Sequence, residues 1–233
     1  MSDIMTGLIY YIVFLFSTTL HEAAHAWAAK RGGDLTAYLG GQVSLDPRPH
    51  IKREPFGMVI LPLLSVAISG WPFGFASAPY DPQWAMRHPR RAAWMALAGP
   101  GSNLLLVLIA WTLIRAGTLA GIFAAPSSVR FGHVIATDGG GGLAGVAFLI
   151  GALFCMNLAL AILNLIPLPP LDGSAAIPLV LSPPLTQRYQ QFLWTNPGLA
   201  IFGMLAAWRV FDVIFQPMFM AAVNLLFPGV RYG

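Results

Sequence analysis

Charge is scarce in this chain. Asp, Glu, Lys and Arg make up 9% of its 233 residues, where a soluble domain carries about 25%. With 57% hydrophobic residues and a mean hydropathy of +0.68, that deficit excludes an ordinary soluble domain. It points instead to a polytopic membrane protein of one membrane-embedded domain. Cysteine is nearly absent: Cys155 stands alone in an apolar run, which excludes an internal disulfide and reads as core filler. No internal repeat and no disordered tail is present, and residues 138–142 are a short flexible turn rather than a linker. Met1-Ser2-Asp3 supplies no positive charge ahead of a first apolar run that is too long for a secretory leader, so no cleaved signal peptide is expected. The net charge of +4 comes from basic residues flanking apolar segments. That is the pattern of topogenic loops, and it excludes a nucleic-acid partner.

Glutamate is rarer still, with two in the chain, Glu22 and Glu54. Glu22 lies inside the first apolar helix, residues 4–29, within His21-Glu22-Ala23-Ala24-His25. Charged residues cost roughly 2.5 to 3.5 kcal/mol at the bilayer centre, so an acid there is read as functional. On a helix, His21 and His25 share one face, with Cβ atoms about 5 to 6 Å apart. Two imidazoles so placed can converge on one ion, and Glu22 beside them can reach a water without ligating the metal. This is the HExxH arrangement of zinc proteases.

The chain has five apolar stretches. Residues 4–29 are long enough to span, as are 92–116 and 143–166. Residues 56–76 are interrupted by Pro62, Gly70, Pro72 and Gly74, and residues 198–227 read as one kinked helix or a short hairpin. Gly41 to Leu45 is a candidate short strand. The expected architecture is an all-α polytopic membrane protein: three transmembrane helices, a re-entrant or short-strand segment, and C-terminal helices. His50, His88 and His133 are expected as solvated loop residues, and Asn157 as an interhelical hydrogen-bonding residue. Asn103 is read as satisfying backbone groups freed by Pro100, or as part of a site wall. Arg209 and Asp212 are expected to neutralise each other as an i, i+3 pair, or to sit at a break in the last apolar segment.

A catalytic zinc needs a third protein ligand. Asp172 is the one acid in the apolar region 143–181. It follows three prolines, where broken helix is tolerated if it is buried in protein or lines a wet cavity. Its residues alone also allow an aspartate that caps the helix starting at Ser174.

Three motifs together resemble the site-2 protease family of intramembrane zinc metalloproteases. They are HExxH in one apolar helix, Gly99-Pro100-x-x-Asn103 opening another, and Asn164-x-x-Pro167-x-Pro169-x-Leu171-Asp172-Gly173 ending a third. Pro79-Tyr80-Asp81-Pro82 also resembles the family's loop. The resemblance covers residues 4–182, with a departure at Ser174, where many members have a second glycine. It implies that His21, His25 and Asp172 bind one Zn2+ and that Glu22 is the catalytic acid/base. It places Asn164 at substrate or at the developing oxyanion. The connector between the second and third spans is too short for the PDZ domain that some members carry. The expected partners are the lipid bilayer and membrane-protein substrates cut in or near a transmembrane segment.

If Asp172 is to meet His21, the first and third spans must be parallel and the second antiparallel, so segment 56–76 crosses an even number of times. Eight basic residues between Lys30 and Arg91 lie on the side where the first helix exits, against Arg115 and Arg130 near the other. The positive-inside rule makes that exit side cytoplasmic, in a cell (inner) membrane. A metal transporter is the rival reading, as is a non-catalytic helix-binding homologue. A transporter would show several polar helices and inverted repeats. An intact Glu22 speaks against the homologue.

Overall fold

The computed structural model describes residues 3–232; Met1 and Ser2, which enter the leader argument, lie outside the described residues. Among the described residues there is no strand, and the chain is mostly helical. Helix α1 (Asp3–Gly32) is long and apolar and carries Lys30 and Arg31 in its last turn, where cations suit the helix dipole. It stops at Gly33, whose φ of +98° is the left-handed conformation that glycine adopts without cost. Two short helices follow, α2 (Thr36–Leu39) and α3 (Pro47–Arg53). Asp46 starts α3 by accepting from the Arg48 N–H, with a proline at the first helical position.

Residues 41–45 are turn and bend rather than strand. Gly41 has φ +76°, the Gln42 N–H bonds back to the Ala37 carbonyl, and the Ser44 hydroxyl takes the Asp46 N–H. Local bonds therefore use up groups that a strand would offer to a neighbour. A π-helical turn (Phe56–Ile60) leads into α4 (Leu61–Ser69), which Gly70 ends at φ +72°. This apolar unit, Phe56–Ser69, is shorter than the membrane-crossing helices. Irregular chain then runs to α5 (Pro82–Arg87), capped by Asp81. The irregular segment is pinned by Phe75 N–H to Gly57 O, Ser77 Oγ to Glu54 Oε1 at 2.6 Å, and Asp81 N–H to Asp34 Oδ2 at 2.9 Å.

Helix α6 (Pro89–Leu119) continues through Pro100, and α7 (Gly142–Leu165) is the most apolar of the long helices. The Ile166–Leu171 loop, with a cis Pro169–Pro170 bond, leads into α8 (Asp172–Ala176). Next come α9 (Pro183–Thr195) and α10 (Leu199–Leu226). The last apolar segment is thus one helix carrying Pro217 inside, not a hairpin. Four helices, α1, α6, α7 and α10, are long and apolar enough to cross a membrane.

Helix α6 packs against both α1 and α7. Side-chain pairs set the directions. Tyr10 meets Phe148 and Ser17 meets Asn157, so α1 and α7 run parallel; His25 meets Met95 and His21 meets Asn103, so α6 runs against α1. One apolar cluster joins α6, α7 and α10 around Ile114, Phe154 and Val223, and another joins α1 to α7 around Val13, Phe14 and Ala152. Helix α10 is peripheral. Arg209 and Asp212 are exposed on it and form no ion pair among the described residues, so the expected neutralising pair is absent.

Candidate active site

The site lies where α1, α6 and α8 meet. His21, Glu22 and His25 are buried, and their potential ligand atoms lie within 4.8 Å of one another. The His21 and His25 Nε2 atoms are 3.0 Å apart. Asp172 Oδ2 completes a triangle, 3.1 Å from His21 Nε2 and 3.3 Å from His25 Nε2. The Asp172 side chain faces the imidazoles at the first position of α8, instead of capping a helix at Ser174. Glu22 makes no hydrogen bond or ion pair among the described residues.

The protonation of both rings follows from their other nitrogens. His25 Nδ1 lies 2.7 Å from the Met95 carbonyl, which can only accept, so this nitrogen carries the proton. His21 Nδ1 is 2.6 Å from Asn103 Oδ1. The orientation of that amide is set by a relay. Asn157 Nδ2 donates to the Leu153 carbonyl at 2.8 Å and to Ser17 Oγ at 2.9 Å, which leaves Asn157 Oδ1 to accept from Asn103 Nδ2 at 2.8 Å. Asn103 therefore presents its oxygen to His21, and His21 Nδ1 is the donor. Both rings are left with a lone pair on Nε2, the nitrogen that faces Asp172.

With both imidazoles neutral, three acceptor atoms converge with no donor among them, and a bound cation relieves their repulsion. The donor set fits zinc. A tetrahedral ion with ligands at about 2.0 to 2.1 Å would separate them by roughly 3.3 Å, close to the spacing seen here. The backbone of α6 closes the site: a Cβ at Gly99 would strike Nε2 of both histidines.

Of the two roles open to Asn103, the structure selects the site wall. It is fully buried and holds His21 directly, rather than tending the backbone around Pro100. Its position four residues after Gly99, on the face that meets the HExxH helix, was the available signal. Asn157 does bridge helices, as expected. Asn164, in the last turn of α7, is half-buried, and its side chain forms no hydrogen bond with the His–Glu–Asp group or any other described residue. His50 is buried at 1% exposure, with Nε2 donating to the Ser44 carbonyl, while His88 and His133 are exposed. Outer partners of metal-ligating histidines are typically worth about 10- to 100-fold in metal affinity. Asn103→Leu is therefore expected to weaken zinc binding by about that factor, measured by competition with a chromophoric chelator.

A helical membrane protein with an HExxH helix set against a carboxylate from a second segment has the site of a membrane metallohydrolase. Comparison with known proteins agrees. The chain matches peptidase family M50 over residues 9–204 and belongs to that family. It is 29% identical over 224 residues to "Putative zinc metalloprotease YwhC" of Bacillus subtilis (strain 168), covering 89% of this chain and 92% of that protein. It is 36% identical over 176 residues to "Putative zinc metalloprotease Rip2" of Mycobacterium tuberculosis (strain ATCC 25618 / H37Rv), covering 75% of this chain. A Rip2 of Mycolicibacterium smegmatis (strain ATCC 700084 / mc(2)155) is 32% identical over 175 residues. The matched region spans 58% of the length of each Rip2 protein. No solved structure matches.

Proposed function

We propose that this chain is an intramembrane zinc metalloendopeptidase that hydrolyses peptide bonds in or near transmembrane segments of membrane-protein substrates. The observation that carries the reading is the triangle of His21 Nε2, His25 Nε2 and Asp172 Oδ2, with an unpartnered Glu22 carboxylate beside it. In this reading His21, His25 and Asp172 hold one Zn2+. The bound ion supplies Lewis acidity, polarising a carbonyl and lowering the pKa of water toward about 7.

The remaining work falls to the protein. Glu22 takes a proton from the attacking water and returns it to the leaving amine. Because its carboxylate has no other described partner, it is free to turn between the two positions. Asn103 and the Met95 carbonyl hold the rings so that Nε2, not Nδ1, faces the reacting group. Asn164 is assigned, on the family resemblance, to the substrate or oxyanion. A substrate helix hides its carbonyls in i to i−4 bonds, so it must unwind locally before attack. By the positive-inside rule, the basic residues between Lys30 and Arg91 support a site nearer the cytoplasmic face of a cell membrane.

The test uses purified full chain in detergent with a membrane-segment reporter. Cleavage is expected to stop on chelation and return with one equivalent of zinc. Reporters with helix-weakening residues near the cut are expected to be cleaved faster. Zinc-dependent flux into liposomes without any cleavage would instead favour the transporter reading.

A further inference from the structure

Beside the site, on the outer face of α1 and α6, an open groove of about 500 Å³ runs between the two helices. Its mouth carries Arg31, from the last turn of α1, and Arg91, from the first turn of α6. Arg91 Nη1 donates to the carbonyl of Gly32, the residue after Arg31, at 3.1 Å, which ties its side chain to the end of α1 that carries Arg31. One helical turn further in, the walls are Trp27 and Trp94, exposed at 53% and 65%. Beyond them lie Leu97 and Ala98. The guanidinium of Arg31 sits 5.4 Å from the Trp27 ring, and no lining residue is acidic.

We propose that this groove binds one anionic phospholipid, with its phosphate at Arg31 and Arg91 and one acyl chain along Trp27, Trp94, Leu97 and Ala98. The lining changes character in the order that a phospholipid does. Cations stand at the helix ends, amphipathic indole rings come next at the depth where Trp anchors at a membrane interface, and aliphatic wall follows. Basic pockets between membrane helices recognise acidic headgroups in this way. A second copy of this chain is a poor occupant, because it would bring its own arginines to the same mouth. A substrate helix with cationic flanks is disfavoured for the same reason. The groove also has a wall in common with the zinc site, since Met95 lines it and its carbonyl accepts the His25 proton. A seated lipid therefore packs against the turn of α6 that orients His25.

The experiment needs no activity, so it stands or falls apart from the protease reading. Purified full-length protein is equilibrated with equal amounts of phosphatidylglycerol and phosphatidylcholine, and retained lipid is counted by native mass spectrometry. One phosphatidylglycerol is expected to be held, preferred about tenfold or more, the order that two arginines supply against an anionic headgroup. The preference is expected to vanish in Arg31→Gln/Arg91→Gln and to persist in Arg209→Gln, which lies elsewhere. Leu97→Trp, which fills the groove and keeps both arginines, is expected to lose the lipid as well. This guards against misfolding of the arginine variant. Equal retention of the two lipids by the wild type would overturn the proposal, as would selectivity unchanged in both groove variants. Displacement by millimolar glycerol 3-phosphate would reassign the site to a free phosphate ester, and displacement by a transmembrane peptide would reassign it to protein.

Discussion

Replacing Glu22 with Gln is expected to lower reporter cleavage by about 10²- to 10⁴-fold, the usual weight of a positioned general acid/base, while leaving one zinc bound. The two halves of this outcome rest on separate observations. The loss follows because an amide has no basic oxygen to take the proton from water. Retention follows because the converging triangle is made by Nε2 of His21, Nε2 of His25 and Oδ2 of Asp172, without Glu22. The substitution also costs the fold little. Glu22 is 5% exposed and its side chain makes no hydrogen bond or ion pair among the described residues, so removing its charge breaks no bond. Cleavage by purified protein and zinc by chelator competition are to be read on one sample. If zinc left with activity, Glu22 would be a ligand and Asp172's part would need revision. If cleavage persisted, the acid/base would have to be another group.

The long helices and the HExxH group were readable from sequence because each rests on a local signal: apolar length, and side chains four residues apart on one face. The meeting of Asp172 with helix α1 required family resemblance or coordinates, since 151 positions separate it from His21 and nothing local distinguishes a ligand from a cap. Where the reading failed, tertiary partners decided. His50 stands among charged neighbours in sequence, yet α3 turns it inward to the Ser44 carbonyl. Gly41 to Leu45 alternates like a strand, but local turn bonds took its backbone before any partner could. Residues 198–227 left one kinked helix and a hairpin open, and α10 runs on through Pro217 as one helix; a membrane helix tolerates a proline when neighbours or side chains satisfy the freed carbonyl. Asn103 stood between two roles in the sequence, and its partner, a ring on another helix rather than the nearby Pro100, selects the site wall. The groove behind the site was invisible for a similar reason. Arg31 and Arg91 are sixty positions apart, each reads as a topogenic charge, and only the antiparallel packing of α1 against α6 sets them at one mouth.

Gly99→Ala is the sharpest test that this packing builds the metal site. In the structure the new methyl would be driven against Nε2 of both His21 and His25, the two atoms that must face the ion. Neither ring can back away cheaply. His21 is held from behind by Asn103, itself tied through Asn157 to the Leu153 carbonyl, and His25 is held by the Met95 carbonyl. Either the imidazoles turn and give up those bonds, or α6 moves off α1. Both routes remove ligands, whereas loss of an outer partner merely loosens one, so zinc affinity is expected to fall by more than the roughly 100-fold upper range of outer-shell substitutions. Cleavage is expected to fall with it. Helix propensity works in the opposite direction, since Ala is favoured over Gly by about 1 kcal/mol in a helix interior. Any loss is therefore steric and not a weakness of α6 itself. Gly101 provides the control, two residues on in the same helix, where an added Cβ meets nothing within 4 Å. Gly101→Ala is expected to bind zinc as the wild type does and to melt no lower. Equal zinc affinity in the two variants would mean that α6 does not close against the histidines, and with it would go the case that this helix, through Gly99, Met95 and Asn103, shapes the site.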